Sequence, residues 1–288
     1  FCGHGNEAVI MAAFIYSQSG YKMRLGRDCE KLYLLYGSKH GIYEKGYIVI
    51  EGINYYPLDD KVERMEISDF SFPQEQSMSL YIENAQKFTI RPSAKRKLAS
   101  EQYHDVTIDS QVNLNLIQFY NTYPSSEVNG NFMTRWKMYA DTPMDESVSQ
   151  MLYPDIKNKI EGLSDVQAVN QILNWVQTAF QYEYDDKVWG HDRAFFAEET
   201  LYYPYCDCED RAILFTRLVR DLLGLKCILV YYPGHLASAV CLKQQVNGDY
   251  ISLDGDVYTI CDPTYIGAPV GITMPEMDNR SAKVIKLL

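Results

Sequence analysis

Residues 205–224 read Y-C-D-C-E-D-R-A-I-L-F-T-R-L-V-R-D-L-L-G, and this stretch decides the fold of the C-terminal half. Leu214, Phe215, Leu218, Leu222 and Leu223 recur at helical spacing, and Gly224 is a natural C′ residue. The helix therefore begins near Cys208 and carries a thiol in its first turn. Upstream, Ser164-Asp-Val-Gln167 reads as a capping box, with Ser164 as N-cap and Gln167 at N3. Val169, Ile172, Leu173, Val176 and Phe180 follow as one buried stripe. Downstream, Lys226–Tyr232, Leu236–Leu242 and Tyr258–Cys261 read as strands, with a turn at Asp254-Gly255. The expected class is α+β, with a cysteine-bearing helix packed on an antiparallel sheet.

Three residues of this half form a chemical constellation. Backbone N–H groups and the dipole at a helix start favour an anion, which predicts a lowered pKa for Cys208. His235 follows Tyr231-Tyr-Pro-Gly234 and opens a strand, and Asp262 ends the last strand in C-D-P-T. A helix start and two adjoining strand ends can converge on one point, giving a nucleophile, a general base and an orienting carboxylate. The backbone N–H of Cys208 is one expected oxyanion donor. Trp189, in V-W-G-H-D, and Tyr202, in L-Y-Y-P, are candidates for a second donor or a cleft wall, although each reads more readily as a packing residue. His191 is a weaker alternative base. Cys206, Cys208 and His235 could together ligate zinc, but no second C-x-x-C or H-x-x-x-H accompanies them. Phosphate-binding Gly motifs and the alternating Ca²⁺ loop pattern are absent from the sequence.

Cys-x-x-x-Ala on an apolar helix, then His, then Asp-Pro-Thr, resembles the transglutaminase-like (papain-like) superfamily. The segment D-C-E-D-R-A is most similar to bacterial transglutaminase-like cysteine proteinases. The likeness takes in Val169 to Tyr184 and A-E-E-T-L at 197–201, and covers roughly residues 160–270. It implies that Cys208, His235 and Asp262 are a catalytic triad acting on a protein or peptide through a thioester, with no cofactor. Many members have Gly before the Asp-Cys pair, where this chain has Cys206. Transfer of the acyl group to an amine and an idle, non-catalytic scaffold are the alternatives. The family's bacterial members, and a chain that begins at Phe1 as a processed piece would, imply a periplasmic or secreted home.

Further out, residues 1–60 read as a helix, Ala8 to Ser19, followed by strands at Lys22–Leu25, Leu32–Tyr36 and Tyr47–Ile50. Slid by 204, this segment matches the C-terminal one: Cys2 meets Cys206, Ala8 meets Ala212, Gly20 meets Gly224, Leu25 meets Leu229 and Leu32 meets Leu236. Slid by 203, Gly52 meets Gly255, Tyr55 meets Tyr258 and Asp59 meets Asp262. A degenerate copy of the module, without its upstream helix, is expected over 1–60. In it His4 stands for Cys208 and Lys31 for His235, so it should be catalytically dead. Residues 61–145 alternate and are punctuated by Gly, Pro, Ser and Asn, which predicts a β-rich connector or module; the catalytic domain is expected over 146–288.

The whole chain sets the outer limits. Its 288 residues suit two domains. A formal net charge of −11 argues against nucleic acid as the main partner. No apolar run approaches the ~20 residues of a membrane span. Seven cysteines, an odd number in a chain this long, do not suggest a disulfide scaffold. The 24 tyrosines suit β-sheet as readily as a binding surface.

Overall fold

The computed structural model describes residues 3–59, 64–244 and 246–288. The chain is α+β, with antiparallel sheets, and divides into two compact units. The first comprises residues 1–81 and 124–135, and the second 82–123 and 136–288. These divisions differ from the expected boundaries at 60 and 145, because residues 126–128 return to pair with residues 40–42 of the first unit. The boundary at 60 and the Cys2–Cys206 match fall outside the described residues.

In the first unit, helix α1 (Asn6–Gln18) precedes β1 (Met23–Asp28), β2 (Lys31–Ser38), β3 (Ile48–Ile50), β4 (Ile53–Pro57) and β5 (Glu66–Ile67). These strands form one antiparallel sheet in the order β3-β4-β2-β1-β5. Ala13 of α1 packs on Met23 and Leu34.

In the second unit, α2 (Asp165–Thr178) starts at the expected capping box, with Ser164 and Gln167 bonded reciprocally. Helix α3 (Cys208–Leu223) ends at Gly224, whose φ of 64° is the left-handed conformation that favours glycine. Strands β6 (Cys227–Tyr232), β7 (His235–Val240), β8 (Tyr250–Leu253), β9 (Asp256–Cys261) and β10 (Lys283–Lys286) follow. They too form one antiparallel sheet, in the order β8-β9-β7-β6-β10. The α2 stripe of Val169, Ile172, Leu173 and Val176 shares a core with Leu214, Phe215, Leu218 and Val219 of α3.

The two sheets agree in strand order and in register. Asp28 pairs with Lys31, and Tyr232 with His235, each partner displaced by 204. Ile50 pairs with Ile53, and Leu253 with Asp256, each displaced by 203. Leu35 pairs with Pro57, and Ala239 with Ile260, one partner displaced by 204 and the other by 203. The turns Glu51-Gly52 and Asp254-Gly255 both have positive φ at both residues, as type I′ hairpins require. The helices differ in cover. Ile10 and Phe14 of α1 are 55% and 63% exposed, whereas Leu214 and Leu218, at the matching positions of α3, are fully buried.

The β-rich expectation for residues 61–145 needs correction. Among the described residues there, only Glu66–Ile67, the hairpin Arg96–Ala99 with Thr107–Ser110, and Ser126–Val128 are strands. Leu114–Asn121 and Met133–Asp141 are helices. Alternation carried the reading past Ser110, but the Asn113 side chain accepts from the Asn115 amide and starts a helix that buries Leu116, Ile117 and Tyr120.

Candidate active site

The start of α3 is held from both sides of the acidic motif. Asp210 Oδ2 accepts from the Asp207 amide at 3.1 Å, and its Oδ1 accepts from the Phe195 amide at 2.8 Å. This anchors the N-terminal turn and fixes Cys208 as the first helical residue. Arg211, also buried, donates to the carbonyls of Gln177 (3.0 Å) and Phe180 (2.7 Å), closing the C-terminal end of α2 against α3.

His235 opens β7, and Asp262 follows the last residue of β9. Because Ser238 pairs with Cys261, Asp262 lies one step beyond the ladder, diagonal to His235. His235 Nε2 meets Asp262 Oδ2 at 2.8 Å, both side chains being buried. Asp262 Oδ1 accepts from the amides of Thr264 (2.9 Å) and Tyr265 (3.3 Å). The carboxylate is thus fixed on one oxygen by backbone and presents the other to the imidazole. The Tyr232 ring stacks beside His235 at 6.3 Å. With Nε2 committed to Asp262, Nδ1 is the nitrogen left for proton transfer.

Cys208 and His235 line one cleft of ≈ 380 Å³, together with Trp136, Tyr182, Tyr231 and Asp192. The backbone of Leu236, the residue after His235, acts on Cys208 in the direction that favours a thiolate. The thiol donates to Glu209 Oε2 at 3.2 Å. The expected lowering of the Cys208 pKa is overturned. Burial raises it well above the ordinary thiol value, and the charges of Glu209 and Asp207 raise it further. Together these outweigh the favourable end of the helix dipole. Asp207 and Asp210 are themselves pushed up, Asp207 by burial and the charge of Asp210, and Asp210 by burial and the charges of Glu209 and Asp185.

The acids also gather ligand atoms. Those of Asp185, Asp192 and Glu209 lie within 4.8 Å of one another, as do those of Asp207, Cys208 and Glu209. Asp207 Oδ1 is buried and makes no hydrogen bond. A donor set dominated by carboxylate oxygens suits a hard divalent cation better than zinc. Neither cluster includes Cys206 or His235, the other members of the zinc alternative. Cys206 instead accepts from Arg211 Nε at 3.5 Å, and burial raises its pKa to about 12. Comparison with family models, with curated proteins and with solved structures finds no match.

Trp189 and Tyr202 are not among the residues lining the cleft. Trp189 packs edge-on against Phe195 and Tyr203 with the Arg193 guanidinium over its face, and Tyr202 packs on the core of the second unit. His191 is exposed, its Nδ1 against the Trp189 carbonyl at 3.0 Å. Tyr182 was not among the sequence candidates. The short parallel pair Gln181–Tyr182 with Tyr205–Cys206 brings it beside the motif, and burial, with the Cys208 and Asp207 charges, raises its pKa. Its signal in the sequence is the F-Q-Y-E-Y run after α2, which reads as a strand only once its partner is known. A wider groove of ≈ 930 Å³ in the first unit is lined by Cys29, Tyr47 and Arg64, with no imidazole among its lining residues.

Proposed function

We propose that the chain is a cysteine-dependent amide hydrolase, a peptidase of the transglutaminase-like kind. The observation that carries this reading is the His235 Nε2–Asp262 Oδ2 contact of 2.8 Å in a cleft that Cys208 also lines. Asp262 holds the imidazole orientation and stabilises its cationic form. The Cys208 thiol passes its proton to His235 Nδ1 as Sγ attacks the carbonyl carbon of a protein or peptide substrate. The Cys208 backbone N–H faces the developing oxyanion. The imidazolium then protonates the leaving amine. Water, activated by the neutral imidazole, resolves the thioester to acid and free thiol. Replacing water by a primary amine gives acyl transfer at the same site. We place the protein outside the cytoplasm on the strength of the same family resemblance.

The first unit fits a degenerate copy of this module. The Lys31 Nζ–Asp59 Oδ2 contact, 2.8 Å, occupies the positions equivalent to His235 and Asp262, and His4 the position equivalent to Cys208. Lysine holds its proton at neutral pH and cannot serve there as the base. Recognition or docking is the role left to that unit.

A second reading, an idle scaffold, is favoured by one observation: the thiol is directed to Glu209, with a raised pKa, in the resting site. Alkylation of each cysteine against pH, followed by mass spectrometry, separates the two. In an active site, Cys208 reacts in a manner that His235→Ala slows by about 10²–10⁴-fold. Equal rates in both proteins would favour the scaffold. A peptide panel with and without an added primary amine then distinguishes hydrolysis from transfer.

A further inference from the structure

We infer that Gln177 is a positioning residue for the His235–Asp262 pair, an inference that rests on the cysteine-hydrolase reading above. Gln177 is the last buried residue of α2 and is almost inaccessible, at 1% exposure. Its Nε2 donates to three carbonyls of one loop: Asp262 at 3.0 Å, Tyr265 at 2.9 Å and Ala268 at 3.0 Å. Two amide hydrogens shared among three acceptors leave that nitrogen fully committed. Its Oε1 accepts from the Gly267 amide at 3.2 Å, so the same side chain grips the loop by both ends of its amide. Two turns earlier on the same helix face, Asn170 Oδ1 accepts from the Val270 amide at 3.0 Å.

Residues 262–270 lie outside any strand, and their backbone groups therefore need partners from elsewhere. Gln177 supplies them where the loop begins, on the carbonyl of Asp262 itself. The Asp262 side chain then accepts from Thr264 and Tyr265, whose placement depends on the same loop. From the other side, Arg211 on the cysteine-bearing helix donates to the Gln177 carbonyl. One residue thus connects the helix that carries the thiol with the loop that orients the imidazole. Removing its amide leaves buried carbonyls unpaired and frees Asp262 to turn.

The test is the proton resonance of His235 Nε2–H, expected far downfield because it is bonded to a carboxylate, and assigned by its loss in Asp262→Ala. Gln177→Met removes every polar contact of the side chain, and Gln177→Glu keeps its length. In both, the resonance is expected to move upfield or broaden away while circular dichroism stays native. A merely structural role would lower the melting temperature and leave the resonance in place, which overturns the proposal. Absence of the resonance from the wild type also overturns it. Should neither variant fold, hydrogen exchange of the Gly267 amide in the wild type decides: slow exchange supports the grip, and exchange at the rate of an open loop overturns it. Cys208 alkylation reports separately on the hydrolase reading. A rate indifferent to His235→Ala, with the resonance still dependent on Gln177, removes that reading and leaves the positioning contact standing.

Discussion

Glu209 is the residue whose charge acts most directly on the candidate nucleophile, since its carboxylate accepts the thiol proton at 3.2 Å. Glu209→Gln removes a negative charge beside Cys208 and is expected to lower the thiol pKa, so that alkylation at neutral pH becomes faster; an unchanged rate–pH profile would show that burial alone sets it. A divalent cation held by Asp185, Asp192 and Glu209 would neutralise the same field. Adding calcium at constant ionic strength is expected to speed Cys208 alkylation, with EDTA restoring the slow rate, and a flat response would exclude such a site. Cys208, His235 and Asp262 were legible in the sequence because order, a helix start and two strand ends are one-dimensional signals. The charge state of the thiol was not. It depends on burial and on the cluster that Asp185 joins from more than twenty residues upstream, and no local rule sums those against a helix dipole. Trp189 and Tyr202 pack, as the sequence favoured, but could not be dropped as cleft candidates from sequence alone: an aromatic beside Gly, His or Pro looks the same there whether it faces a cleft or a core.

Helices α2 and α3 were readable because an apolar stripe agrees with a capping box at the start of α2 and with a terminal glycine at the end of α3. The helix Leu114–Asn121 was hidden, because its cap residue Asn113 follows directly on an alternating strand. A buried histidine ties together elements of the first unit that the sequence left separate. His40 meets Ser126 Oγ at 3.2 Å through Nδ1 and accepts from the Leu80 amide at 3.1 Å through Nε2. Burial, helped by the charge of Lys39, lowers its pKa from 6.5 to about 4. The unfolded chain therefore binds a proton that the folded unit refuses, and stability falls as pH drops from about 6.5 towards 4. Protection of the amides at residues 40–42 and 78–82, taken as the exchange rate relative to that of an unstructured chain at the same pH, should fall across that window. His40→Gln should flatten the dependence, since a side-chain amide does not titrate there, and an equally steep dependence in that variant would assign the effect to other groups.

Across the whole molecule, the constant offsets of 204 and 203 proved to be offsets of strand register as well as of residue identity. They were visible in sequence because a sheet whose every side chain has a required face leaves little freedom to slip. The unit boundaries were not visible, since a chain that leaves a unit and returns to it forty residues later carries no local mark of doing so. No described helix is long and apolar enough to cross a membrane. The shared register also bears on how the chain reaches its native state. During collapse the hairpin β1–β2 and the hairpin β6–β7 offer each other's neighbours equally spaced edges, so strands from one unit can transiently complete the sheet of the other. Such crossed pairings must come apart before either unit closes. Rapid dilution from urea should therefore return less native chain than slow removal of the denaturant, and equal yields would mean that side-chain fit rejects the wrong partner from the outset. Twinned ladders in one polypeptide are, in this sense, a sorting problem that the chain must solve every time it is made.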